Sequence, residues 1–415
     1  MRTISLGYDR QQIEFELDKS RIIKVLNPNV MEISRSPEEE ILDALKNPIA
    51  SSRLRSIVKP GEKIAIVTSD ITRPFPTALV LPFVLEELKS ARVSLDDVTV
   101  VLGLGIHRPH TDEERERIIG MPLSSIRCLD SDPGDCVHLG QTRRGTPVDV
   151  FRPVAEADRR ICLGNIEYHY FAGYSGGVKA IFPGVSTHQA IQNNHSMMVE
   201  ETAMAGVLEG NPVREDIEEI TEYLPVDFIL NVVLDDKKQV VRAVAGHHQK
   251  AHRQGCRFLD QLYQVQIPRL GEVVITSPGG FPKDLNLYQA QKALDNAKYA
   301  VKPGGIIILA ASCKEGLGEP VFENWVMEAE KPQDLLDRLG RRFELGGHKA
   351  AAIAMVLKRS RVFLVSDLED SLVERLGCRP FKNCTDAVNQ ALREMGEDAG
   401  VIVMPAGGSI LPRLR

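Results

Sequence analysis

The chain has 415 residues, 43% of them hydrophobic and 26% charged, with a formal net charge of −6 and seven cysteines. At ~100–200 residues per domain, this length predicts two or three domains, each able to bury a full core. The acidic balance disfavours a nucleic-acid surface, no stretch approaches the roughly 20 apolar residues of a membrane span, and the cysteines lack a Cys-x-x-Cys pair, which argues against a disulfide framework or a zinc ribbon.

The opening residues "MRTISLGYDRQQIEFELDKS" mix charges with alternating apolar residues and hold no apolar run of signal-peptide type, so the expectation is a cytoplasmic enzyme with reduced thiols. The first thirty residues read as short alternating strands, "QIEFELD" among them. A β/α alternation then begins with a strand over 62–70, a break at "TRPFP" and a helix through "TALVLPFVLEELKSA". The next strand covers 97–105. After "IHRPH" a helix is opened by Thr111 with Glu114 three residues on, a capping box. A third strand, 159–167, runs into "FAGYSGGVKAIFPG" (171–184). Helices are predicted over "THQAIQNNHSMMVEETAMAG" and 212–224, a strand over "VDFILNVVLDD" and a helix over "QKAHRQGCRFLDQLYQ".

Near Pro268 the pattern restarts. Strand 271–277 leads to helix "LNLYQAQKALDNAKYAV", strand 304–312, helix "HKAAAIAMVLKRS", strand 361–367, helix "CTDAVNQALREMG" and a last apolar run over 399–412. Alternation of this kind predicts an α/β protein with mostly parallel sheets covered on both faces, divided near Pro268.

Unusual polar residues recur just beyond the C-terminal ends of predicted strands: Asp70 and Arg73, then His107, then His169 and Lys179. That edge is where open α/β sheets bind ligands. Singly, each has an ordinary structural role: Ser69, Asp70 or Thr72 as a helix cap, His107 as a loop histidine, Arg73 as a surface residue. Their recurrence across separate units favours a site. The glycine-rich turn before Lys179 is not a phosphate loop, because valine separates Gly177 from Lys179 and Ala180 stands where a hydroxyl residue is needed. "GLGIH" lacks the third glycine of a dinucleotide loop. His248 and His252 stand at i, i+4 without the glutamate of a metalloprotease helix, and read as a solvated helix start. His348, after two glycines, reads as a cap or as a residue facing an interdomain cleft. Tyr288 and Lys292 lie one helical turn apart, with Gln289 beside them; from spacing alone this is a surface helix.

"SDITRP", "GIHRPH", "NIEYHYFAGYSGGVKAIFPGVS", "NNHSMM" and "YQAQK" together resemble the nickel-dependent lactate racemase family of 2-hydroxyacid racemases and epimerases, in order and over nearly the whole chain. The resemblance implies a nickel pincer nucleotide joined covalently to Lys179, with His195 as metal ligand. It implies His107 and His169 as alternate acid and base, and Arg73, Lys292 and Tyr288 as substrate-binding residues. Asp70, Thr72, Gly176, Gly177 and Gln289 are the cofactor-binding set. It further implies hydride transfer from the substrate carbon, a small 2-hydroxy acid as substrate, and separate enzymes that make the cofactor. The implied fold is two α/β domains with the site in the cleft between them: 1–268 joined by a returning strand in 397–415, and 269–396. Phe75 and Tyr174 are expected to shape the pocket. Two other readings stay open: a zinc hydrolase using His107, His169 and His195, and a non-catalytic protein that binds hydroxy acids or the cofactor.

Overall fold

A computed structural model describes residues 1–31 and 34–415. The strands, in chain order, are β1 (Arg2–Tyr8), β2 (Gln11–Leu17), β3 (Ile22–Val25), β4 (Ile64–Ser69), β5 (Val98–Gly103), β6 (Arg127–Asp130), β7 (Cys136–Gln141), β8 (Pro147–Phe151), β9 (Arg159–Asn165), β10 (Tyr168–His169) and β11 (Gly173–Tyr174). They continue with β12 (Phe228–Leu234), β13 (Val240–Gly246), β14 (Gln264–Ile267), β15 (Gly271–Thr276), β16 (Val301–Ala310), β17 (Arg361–Val365), β18 (Arg379–Phe381), β19 (Val401–Met404) and β20 (Leu411–Leu414). The chain divides into two compact units: one is Met31–Gln261, and the other combines Met1–Val30 with Leu262–Arg415.

The continuous unit is built on a six-stranded sheet in the order β13-β12-β9-β4-β5-β6, parallel except for the antiparallel β12–β13 pair. Strand β4 is buried along its first five residues, as an apolar strand covered on both faces must be. Ile66, Val100, Ile161 and Leu230 join Val84 and Leu88 of the helix Thr77–Ser90 in one core. From β4 the chain builds outward through β5 to β6, then crosses back to place β9 on the other side of β4. The order therefore reverses between β4 and β9, and the crevice beyond their carboxyl ends is the ligand position of such sheets.

The discontinuous unit repeats the scheme with an all-parallel sheet, β18-β17-β16-β15-β19-β3. Its reversal lies between β15 and β19. Two expectations fail here. Segment 397–415 does not return to the first unit: Val273 to Thr276 pair in register with Val401 to Met404, and β20 pairs with β14. The amino-terminal residues do not belong to 1–268, since β3 extends the same sheet beyond β19 and Leu6, Phe15 and Leu17 pack with Ile275, Ile308 and Val403. An alternating strand buries one face wherever a partner lies, and local pattern carries no record of which sheet supplies it.

Most expected elements form. The capping box at Thr111 and Glu114 is present, and Thr187 caps the helix His188–Ser196, shorter than the stretch predicted. The β7–β8 hairpin, β13, and the helices Pro320–Glu328 and Pro332–Arg341 were not anticipated. Among the described residues, no helix is long and apolar enough to cross a membrane. None of the seven cysteines is paired in a disulfide.

Candidate active site

Three loops leave the neighbouring strands β9, β4 and β5 at their carboxyl ends and carry most of the predicted residues. After β4, Asp70 turns inward and is buried. It does not cap the next helix, whose first turn receives no side-chain hydrogen bond. Its carboxylate meets His107 Nδ1 at 2.7 Å and accepts from the Thr72 hydroxyl at 2.9 Å. Burial pushes the Asp70 carboxyl up, but the His107 and Thr72 hydrogen bonds and the charge of Arg73 outweigh it and hold it below the usual range. The acceptor Asp70 thus fixes the His107 proton on Nδ1 and leaves the lone pair on Nε2. Arg73 and Thr72 are exposed.

His110, unremarkable in the sequence, fastens this loop. Its side chain is 1% exposed, with Nδ1 against Asp130 Oδ1 at 2.6 Å, while the Ile71 amide donates to Nε2 at 3.1 Å. The "GIHRPH" loop thereby holds the backbone between Asp70 and Thr72.

Beyond β9, the β10–β11 hairpin presents His169. The Ala172 amide donates to His169 Nδ1 at 3.2 Å, which puts the imidazole proton on Nε2. The two histidines are therefore held in opposite tautomers, with a lone pair at Nε2 of His107 and a proton at Nε2 of His169. Phe171 lies edge-on to His169 and to His195, with ring centroids 4.5 and 4.9 Å away. His195 is buried on the helix His188–Ser196, and its Nδ1 pairs with Asn194 Oδ1 at 2.9 Å, which leaves the lone pair on Nε2. Tyr174 does not shape a pocket with its hydroxyl: both Tyr168 and Tyr174 donate to Asp260 at 2.8 Å and brace the hairpin.

Lys179 stands on a single 3₁₀ turn. Gly176 (φ 77°, ψ −171°) and Gly177 (φ 63°) occupy backbone conformations that favour glycine. The Gly177 amide donates to Asn231 Oδ1 at 2.7 Å, and a Cβ on Gly176 would lie 2.9 Å from that oxygen. Burial lowers the Lys179 amine well below its usual range, and the charges of Arg73 and Arg214 lower it further. The charged form of the amine is thereby disfavoured, which favours nucleophilic attack. The Gly105 amide donates to Gly184 O at 2.9 Å, tying the loop beyond β5 to the end of the lysine segment.

His252 is not a solvated helix start. It lies in the second turn of the helix His248–Tyr263, fully buried against Arg214, because the helix's apolar face turns it inward. His248 is half-buried. Among the described residues, no three His, Cys, Asp or Glu side chains are grouped to hold a metal ion, an arrangement the zinc-hydrolase reading requires.

In the discontinuous unit, the helix Leu287–Ala297 follows β15, capped by Asn286. It presents Gln289 and Lys292 exposed and Tyr288 half-buried. Lys349 donates to Tyr288 O at 2.6 Å and lies 3.9 Å above its ring. His348 is buried, accepts from the Gly346 amide at 3.1 Å and packs on Phe343; burial pushes its imidazole down to about 3.

Comparison with known proteins bears on this arrangement. The lactate racemase N-terminal domain matches residues 8–206 and the lactate racemase C-terminal domain residues 268–411. The chain is 33% identical to a lactate racemase of Thermoanaerobacterium thermosaccharolyticum, over all of both chains. It is 30% identical to one of Lactiplantibacillus plantarum, over 99% of this chain and all of that one. The solved apoprotein of the Thermoanaerobacterium lactate racemase superposes with a TM-score of 0.89, covering 99% of this chain and all of the other. A Thermotoga maritima protein, 19% identical, shares the fold with a TM-score of 0.64 over 93% of this chain and all of the other.

Proposed function

The chain belongs to the lactate racemase family, and from that premise we propose that it is an isomerase that inverts C2 of a short 2-hydroxy acid, with lactate the first substrate to test. The observation that carries the reading is the buried Asp70 carboxylate against His107 Nδ1, which leaves a basic Nε2 on one histidine, with His169 presented by the neighbouring loop. Enantiomers present their hydroxyls on opposite sides, so inversion needs a base for one and an acid for the other.

The residues present fit a nickel pincer nucleotide. The Lys179 amine, its charged form disfavoured by its surroundings, suits covalent attachment, the glycine turn leaves its main chain open to close approach, and the oriented imidazole of His195 suits nickel. When bound, that group supplies a reversible acceptor for the hydrogen on C2, whose bond a histidine alone does not ionise. Arg73 pairs with the substrate carboxylate and keeps it in place while the carbon centre turns. His107 Nε2 takes the hydroxyl proton of one enantiomer, and Asp70 stabilises the imidazolium that forms. His169, in its imidazolium form, returns a proton to the oxygen of the other and is left neutral. In the reverse direction the roles exchange, with neutral His169 as the base and the His107 imidazolium as the acid. Thr72 supports Asp70, and Gly176 and Gly177 hold the turn. Lys292 and Tyr288 toward the substrate, and Gln289 toward the cofactor, complete the proposed set.

Intact-mass measurement tests this reading, on protein made with and without the cofactor-synthesising enzymes, with nickel assayed on the same samples. A nucleotide-sized adduct on the peptide holding Lys179, together with nickel, is expected. Absence of an adduct under conditions that load a related lactate racemase overturns it.

A further inference from the structure

Behind the lysine turn lies a buried charged cluster that the proposed chemistry does not use. Arg214 is 1% exposed and His252 is fully buried. Arg214 Nη2 approaches His252 Nδ1 at 2.9 Å, and the Arg214 Nε donates to Glu218 Oε1 at 2.6 Å. Arg253 closes the group, donating to both Glu218 oxygens at 2.7 and 2.9 Å. Burial pushes the Glu218 carboxyl up, and the two guanidinium charges reverse this and bring it down to about 2. Burial and the neighbouring arginines hold His252 well below its usual range, so the ring is neutral. Its Nδ1 then accepts from Arg214, and its Nε2–H donates outward.

What it donates to is the turn. His252 Nε2 meets Ser175 O at 2.8 Å, and Arg214 Nη1 reaches Tyr174 O at 3.4 Å. A Cβ placed on Gly177 would lie 3.1 Å from both Arg214 Nη2 and the His252 ring. Tyr174, Ser175 and Gly177, ahead of Lys179, are thus seated against this pair, with Asn231 holding the Gly177 amide from β12. Burying so many charges costs stability, and a lone exposed turn has no need of it.

We propose that Arg214 and His252, backed by Glu218 and Arg253, form a seat that fixes the Ser175–Gly177 backbone and so aims the Lys179 amine for covalent attachment; the proposal rests on Lys179 being the attachment point. They are positioning residues, since they act through the turn and through charge. Arg73, Arg214 and Glu167 are the charged groups felt at Lys179, and of these Arg214 belongs to the seat.

The test uses the full-length apo protein and a small amine-acylating reagent, with the extent of Lys179 acylation followed by peptide mass across pH. Amide exchange of 175–179 is read in parallel, on Arg214→Met, Arg214→Lys, His252→Leu and His252→Gln. Arg214→Met is expected to move the midpoint of Lys179 acylation to higher pH, since each unit of rise makes about tenfold less neutral amine at a given pH. Arg214→Lys is expected to restore most of that midpoint. His252→Leu is expected to speed exchange of the 176–179 amides, and His252→Gln, whose amide can still donate to Ser175, to restore slow exchange. An unchanged midpoint in Arg214→Met, or unchanged exchange in His252→Leu, overturns the seat. Should the two apolar variants fail to fold, the conservative pair decides: a wild-type rate of adduct formation in both Arg214→Lys and His252→Gln supports the seat, and loss of the adduct in both overturns it. A wild type that never takes an adduct yet shows these acylation changes refutes the attachment reading and leaves the seat standing.

Discussion

Replacing Asp70 with asparagine separates the tautomer argument from simple burial. The 2.7 Å contact to His107 Nδ1 is a charge-assisted hydrogen bond from a buried carboxylate. Bonds of that kind are worth about 1.5–3 kcal/mol, and ~1.4 kcal/mol is tenfold in rate, so loss of the charge alone lowers kcat/KM roughly 10- to 100-fold. An amide does further harm, because its NH2 donates to Nδ1 and drives the ring proton onto Nε2, removing the base. The equivalent change in a Ser-His-Asp triad costs about ten-thousandfold, which sets the upper end. The assay is polarimetric or enantiomer-resolved turnover from each pure enantiomer, on protein shown by mass to carry the adduct. Because enantiomers have equal free energy, kcat/KM must fall by the same factor from both sides, whichever histidine is disturbed. Asp70→Asn with an intact adduct and activity within about threefold of wild type, well short of one lost hydrogen bond, would refute the tautomer assignment.

Other substitutions probe the turn and its seat. Lys179→Met is expected to stabilise the apo protein: the amine is depressed in the folded state and ordinary in the unfolded chain, so the unfolded state binds more protons and stability rises with pH toward the unfolded value of about 10.4. The gap in Tm between variant and wild type should therefore widen as pH falls below that value, and a gap that stays flat contradicts the assignment. Glu218, depressed in the folded state, behaves in the opposite sense. Its contribution is full above the unfolded value of 4.5 and is lost as pH falls toward about 2, so the Tm deficit of Glu218→Gln should shrink across that window. Gly176→Ala forces a side chain into a conformation that costs roughly 1–3 kcal/mol, and its Cβ meets Asn231 Oδ1; a Tm lower by several degrees and a reduced adduct yield are expected, checked by calorimetry and intact mass.

The sequence carried the layered α/β plan because apolar runs such as 64–69 and 228–234 bury on both faces and announce themselves. It carried the loop residues because they cluster after strand ends, where the reversal between β4 and β9 gathers them. It did not carry the assignment of β3 and β19 to one sheet, which depends on pairing over hundreds of residues. Nor did it carry the seat. His252 read as solvated from its charged neighbours, and Arg214 lies 38 positions away, so only the folded chain brings them together. One signal was legible in hindsight: Asn231 stands alone in the apolar run "FILNVVL", and a polar residue there needs a buried partner, which proves to be the Gly177 amide.

The most direct test of the central claim is to follow a single enantiomer of lactate, on adduct-bearing protein in heavy water, until optical activity vanishes, then to measure deuterium at C2. The account predicts that C2 keeps its original hydrogen while the hydroxyl protons exchange through His107 and His169. Deuterium entering C2 at the rate of racemisation would contradict it and point to proton abstraction from carbon.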